Sequence, residues 1–199
     1  MTPDAVPAAA ARSLILVKHA PPLIDPAVPA QRWLLSDEGR RRCAALADLL
    51  ASYAPVAIAA SMEPKAAETA RLAGERLAVP VEALDGLHEH DRSNVGFLSD
   101  ADFDAAVAAF FARPDELVLG KETANEALAR FSAAVAVALA RWPAGNLVIV
   151  AHGTVISMYV AAAAGLDARA LWKRLGLPSF VVMGLPGGNV TAEVDSLTK

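Results

Sequence analysis

At 199 residues the chain suits one domain, long enough to bury a sizeable core without disulfides or a structural metal. Hydrophobic residues make up 55% and charged residues 20%, which excludes a disordered chain, and the net charge of −4 excludes a basic footprint for nucleic acid. The single cysteine, Cys43, excludes an internal disulfide; in step with Leu46, Ala47 and Leu50 it reads as a buried structural thiol, and a cytoplasmic location is the expectation.

Met1 to Arg12, rich in Ala and Pro and carrying Asp4, reads as a flexible tail rather than a secretory signal, so residues 13–199 form the expected single domain. Leu14-Ile15-Leu16-Val17 is an apolar run suited to a strand buried on both faces, and it ends in Lys18-His19-Ala20. The prolines at 21, 22, 26 and 29 make the next segment an irregular loop. Ser36 before Asp37 and Glu38 marks a helix start, with the helix running to about Ser52.

Val56 to Ala60 is a second buried strand; Pro64 then opens a helix continuing over Ala66 to Leu77. Val81-Glu82-Ala83 reads as a short edge strand, and Leu87 to Arg92 as a polar loop. Two amphipathic helices follow. One opens at Ser99 with Phe103, Val107 and Phe110 on a face, and one after Thr123 carries Leu128, Phe131, Val135, Ala138 and Trp142. Because they interrupt the strand–helix alternation, they read as an insertion beside the sheet forming part of a lid.

Leu147 to Val150 repeats the opening pattern, ending in Ala151-His152-Gly153-Thr154 before a helix from about Val155 to Ala164. The uncharged stretch Asn146 to Leu166 has about the length of a membrane span, but its polar interruption at His152-Gly153-Thr154 favours strand, turn and helix. A short helix over Ala168 to Leu175 and two strands, Phe180 to Met183 and Val190 to Val194, close a three-layer α/β/α sandwich with a mostly parallel central sheet.

Two buried strands ending in histidine place His19 and His152 at the carboxyl edge of a sheet, where open α/β folds bind ligands. Lys18, Lys65 and Glu89 fall near the same end. Cations, imidazoles and one carboxylate together suit phosphoryl transfer: fixed positive groups stabilise the equatorial oxygens, an imidazole attacks phosphorus and a carboxylic acid protonates the leaving oxygen. Gly153 and Thr154 offer backbone N–H groups at a helix N-terminus as a phosphate cradle. The other reading of His88-Glu89-His90-Asp91 is a metal site, since imidazoles two residues apart can converge on one ion.

On these residues the sequence resembles the histidine phosphatase superfamily, the phosphoglycerate mutase-like fold. Lys18-His19-Ala20 stands where the family has Arg-His-Gly, and Ser61 to Ala70 resembles its Ser-x-Pro, Arg, Thr-Ala segment. Leu87-His88-Glu89 matches its Leu-x-Glu, Ala151-His152-Gly153 its late His-Gly, and Gly120 to Thr123 weakly its Gly-Glu-Ser. The resemblance implies a phosphatase acting on a phosphomonoester, with His19 the nucleophile, Glu89 the general acid and then base, and Lys18, Lys65, His152 and Gly153 around the phosphate. It implies no metal and no organic cofactor. The expected partner is a small phosphorylated substrate, with no nucleic acid and no membrane, and a homodimer is allowed. Lysine replaces both phosphate-gripping arginines, keeping the charge but losing the planar two-pronged fork. That departure motivates the alternative of a non-catalytic phosphate- or phosphopeptide-binding member of the same fold.

Overall fold

The computed structural model describes residues 12–197, and the expected tail lies outside them except for Arg12, which opens the first strand. The strands are β1 (Arg12–Lys18), β2 (Pro55–Ala60), β3 (Val81–Ala83), β4 (Asn146–Ala151), β5 (Ser179–Leu185) and β6 (Val190–Val194). They form one six-stranded sheet in the order β3-β2-β4-β1-β5-β6. The four strands from β3 to β1 run parallel, and β5 and β6 join antiparallel at the far edge. The mostly parallel three-layer fold expected from the sequence is therefore present.

The helices that cover the sheet follow from the apolar pattern. Alternate residues of β1 enter opposite layers: Ile15 and Val17 pack with Leu46 and Leu50 of α1 (Asp37–Ala51) and with Ala66 and Ala70 of α2 (Pro64–Leu77). Leu14 and Leu16 pack with Phe131 and Val135 of α4 (Ala124–Arg141) and with Val155 of α5 (Gly153–Ala164). Both faces are dry, so the run carries no polar residue; each such side chain contributes about 1.5–3 kcal/mol by leaving water. Ser36 caps α1 by accepting the Gly39 N–H, and Thr123 with Glu126 forms a capping box at the start of α4.

The lid expectation is corrected in part. The buried stripe of α4 at Phe131, Val135 and Ala138 makes it a full layer of the core rather than a cover. Only α3 (Asp100–Ala112) stays at the rim, where Phe103 packs at 6.1 Å on Trp172 of α6 (Ala168–Arg174). Helical spacing alone does not distinguish a core helix from a lid helix; what packs on the stripe does. The proline-rich segment is irregular apart from one 3-10 turn at Ala30–Arg32 and an isolated antiparallel bridge from Pro22 to Leu35. Among the described residues no helix is long and apolar enough to cross a membrane.

Candidate active site

Strand order decides which side chains meet. β4 lies between β2 and β1, with Lys18 opposite Ala151 and Ala60 opposite Val150, so all three strands end at one level. The ladder continues one step: the His19 N–H donates to Ala151 O at 3.1 Å and the Ser61 N–H to Val150 O at 2.9 Å. His19, Ser61 and His152 thus emerge side by side, with the two imidazole centroids 5.2 Å apart.

His19 is fixed from both ends of its loop. Its Nδ1 is 2.8 Å from Ala20 O, and a carbonyl only accepts, so the ring proton belongs on Nδ1 and Nε2 is left as the basic atom. The Ala20 N–H donates to Thr69 Oγ1 of α2, whose hydroxyl in turn donates to Lys65 O. Burial first, then the nearby Lys65 charge, lower the His19 pKa to about 3. At neutral pH the ring is an uncharged base.

His152 is completely enclosed, and burial followed by the Lys65 charge holds its pKa well below the ordinary imidazole value. Its Nε2 is 2.8 Å from Ser61 Oγ, which already accepts the Glu63 N–H. Where the hydroxyl gives its own proton to Nε2, the ring proton lies on Nδ1. That Nδ1 is buried without a hydrogen-bond partner among the described residues, a donor waiting for an acceptor.

The two lysines are placed differently. Lys18 Nζ donates to Leu175 O at 2.6 Å, and burial lowers its pKa while Glu89 opposes the shift. A Cβ on residue 153 would stand 3.0 Å from Lys18 Cε, so Gly153 makes room for this chain. Lys65 Nζ is enclosed between Ala30 O, at 2.8 Å, and the Glu63 carboxylate.

Glu89 sits on the N-terminus of α5: its Oε2 accepts the Thr154 N–H at 3.1 Å and its Oε1 the Val155 N–H at 3.3 Å. Burial pushes its pKa up, but the Arg92 charge and the His90 and Thr154 N–H groups outweigh that and hold it below the ordinary value. This alters the expected phosphate cradle, because the Thr154 N–H already serves a carboxylate. The positive helix end attracted the nearest buried anion.

The metal reading of the histidine loop finds no support in the geometry. His90 is buried, stacks 4.1 Å from Phe110 and has Nε2 3.2 Å from Glu122 O, whereas His88 lines a different recess. The loop itself is held by Arg130 of α4, which donates to Gly86 O and His88 O and pairs with Glu122.

All six expected residues, Lys18, His19, Lys65, Glu89, His152 and Gly153, line one cavity of about 220 Å³. A recess of about 460 Å³, sharing Gln31, Glu63 and Glu89 with it, opens beside it along Arg32, His88 and Ser93. Two charged lining residues were not foreseen, Glu63 and Arg92. Glu63 stands two residues before Lys65, a spacing that carries no signal until the turn folds. Arg92, lying 5.0 Å above the Phe103 ring, is placed by α3 packing, which no local pattern reveals.

Comparison with known proteins bears on the fold and the family. A mycobacterial glucosyl-3-phosphoglycerate phosphatase structure is 25% identical, with a TM-score of 0.72 over 90% of this chain and 93% of that one. A second structure, of a mycobacterial hydrolase, is 24% identical, with a TM-score of 0.74 over 94% of this chain and 100% of the other. The alpha-ribazole phosphatase of Shigella flexneri shares the fold at 18% identity, with a TM-score of 0.71 over 92% of this chain and 96% of its own. No curated protein matches the chain. The family model of the histidine phosphatase superfamily (branch 1) matches residues 29–193. That span includes Lys65, Glu89 and His152, whereas Lys18 and His19 precede it; covering well over half of the residues, the match shows that the chain belongs to the histidine phosphatase superfamily.

Proposed function

We propose that the protein is a metal-independent phosphatase that hydrolyses a phosphomonoester through a phosphohistidine on His19. The observation that carries this reading is the hydrogen bond from His19 Nδ1 to Ala20 O, which leaves Nε2 unprotonated on a ring kept neutral by burial. Nε2 attacks phosphorus; the N–P bond forms as the ester P–O bond breaks, and the leaving oxygen takes a proton from Glu89. Water then attacks the phosphohistidine, Glu89 takes a proton from it, the N–P bond breaks and orthophosphate leaves. His152 Nδ1–H and Lys18 stabilise charge on the equatorial oxygens, and Gly153 keeps the Lys18 chain close. Glu89 is ionised in the empty site, so its proton arrives with the substrate monoanion or is taken up as the phosphate binds.

A second reading, phosphate or phosphopeptide binding without turnover, draws support from Lys18 and Lys65, whose ammonium groups are both held by protein acceptors. One experiment separates the two. Incubation with an aryl phosphate radiolabelled in its phosphoryl group and a chelator, quenched in alkaline denaturant, should give hydrolysis and a labelled protein whose label is lost on acid treatment, with both hydrolysis and label absent in His19→Ala. Binding of phosphate with neither hydrolysis nor label would decide for the second reading.

A further inference from the structure

Glu63 has no part in the scheme above, yet its carboxylate is only 7% exposed and lies at the centre of the site. Its Oε2 pairs with Lys65 Nζ, its Oε1 accepts the Glu89 N–H at 2.9 Å, and His152 Nε2 is 3.6 Å from the same oxygen. It lines both recesses, so it stands at their junction. Lys65 has three donors, and Glu63 and Ala30 O take two of them. A phosphoryl group between the two histidines therefore meets a cation whose charge is already matched by a buried anion. The lining groups amount to Lys18, Lys65 and Arg92 against Glu63 and Glu89, a weakly positive surround for a dianion.

We propose that Glu63 is an internal competitor for the phosphate position, holding Lys65 until a bound phosphoryl group displaces it. The inference rests on the reading of this cavity as a phosphate site. Glu63 is a positioning residue acting through Lys65. In the resting site the carboxylate satisfies a buried ammonium that would otherwise be unpaired. During phosphate binding the ammonium exchanges one oxygen anion for another, so part of the attraction is spent breaking the existing pair. Orthophosphate is consequently held weakly, and product leaves readily.

The test is calorimetric titration of the full chain with inorganic phosphate at neutral pH. Glu63→Gln keeps an acceptor for the Glu89 N–H and removes the charge; it should bind phosphate about tenfold more tightly than the unaltered chain. Adding Lys65→Met to Glu63→Gln should abolish that gain, because the freed ammonium is then a phosphate ligand. Unchanged or weaker binding in Glu63→Gln, or a double variant that binds as tightly as the single one, overturns the proposal. A crystal of the unaltered chain soaked in phosphate gives a reading independent of any variant's folding: Lys65 should lie on a phosphate oxygen with Glu63 turned away. An intact Lys65–Glu63 pair with phosphate bound overturns it, as does failure of phosphate to bind at all. Tighter binding in Glu63→Gln without hydrolysis by the unaltered chain would sink the phosphatase reading alone, whereas hydrolysis with unchanged binding would sink this one alone.

Discussion

At the scale of single residues, protonation states set what the site can do. His19 stays unprotonated down to a pH of about 3, because burial and the Lys65 charge both oppose its cation. Glu89 is held below the ordinary carboxyl value, by Arg92 and backbone donors working against its burial. In the proposed mechanism His19 is therefore ready to attack at any moderately acidic pH, whereas Glu89 needs a proton supplied with the substrate. A phosphomonoester loses its second proton near a pH of about 6. The expectation is a kcat/KM that is greatest near pH 5 and declines above pH 6, roughly tenfold per unit at its steepest. Rates on an aryl phosphate from pH 4 to 8 would check this, and a rise toward pH 8 would contradict it. Ser61→Ala tests the neighbouring assignment. Without the hydroxyl, His152 can carry its proton on Nε2 beside Glu63, so kcat should fall by about 10- to 100-fold while the melting temperature changes little.

At the scale of elements, α4 and α2 do different work. Phe131 of α4 is fully buried against the sheet, so Phe131→Ala should lower unfolding stability by about 3–5 kcal/mol, read by denaturant titration, with KM of the folded enzyme unchanged. A lid helix would give the reverse pattern. Thr69 of α2 links the His19 loop to Lys65 by accepting from Ala20 N and donating to Lys65 O. Thr69→Val keeps the shape and removes both bonds, so kcat should drop with stability reduced by about 1–3 kcal/mol. These elements were largely legible in advance. Ser36, Ser99 and Thr123 mark helix starts because unpaired backbone N–H groups need caps, and Pro64 does so because its ring fixes φ and it has no N–H to leave unpaired; both needs are local. The role of α4 was not legible, because a stripe of apolar residues says that a helix is covered and not by what.

At the scale of the whole molecule, the site's cost appears as acid sensitivity. His19 and His152 are both neutral in the fold, burial being the larger cause in each. Their folded pKa values lie below the unfolded value near 6.5, so below that pH the unfolded chain binds protons the folded chain refuses. Stability is intact above pH 6.5 and falls as the pH drops, by about 1.4 kcal/mol per unit for each histidine until its folded pKa is reached. Denaturant unfolding at pH 7 and pH 5 should show this loss, and His19→Gln should reduce it.

The sequence by itself determined the layered fold and the level at which the chemistry sits. The central residues of a strand buried on both faces are apolar, so the first polar residues after each run, Lys18-His19 and His152, mark the end at which the strand leaves the sheet. Only the tertiary structure decided that Glu63 faces Lys65, that Glu89 caps α5, and that Arg92 reaches the cavity over Phe103. The Glu89 and Arg92 contacts join segments far apart in the chain, the Glu63–Lys65 pair is made by the turn that opens α2, and their charges settle only when burial removes the water that would otherwise screen them.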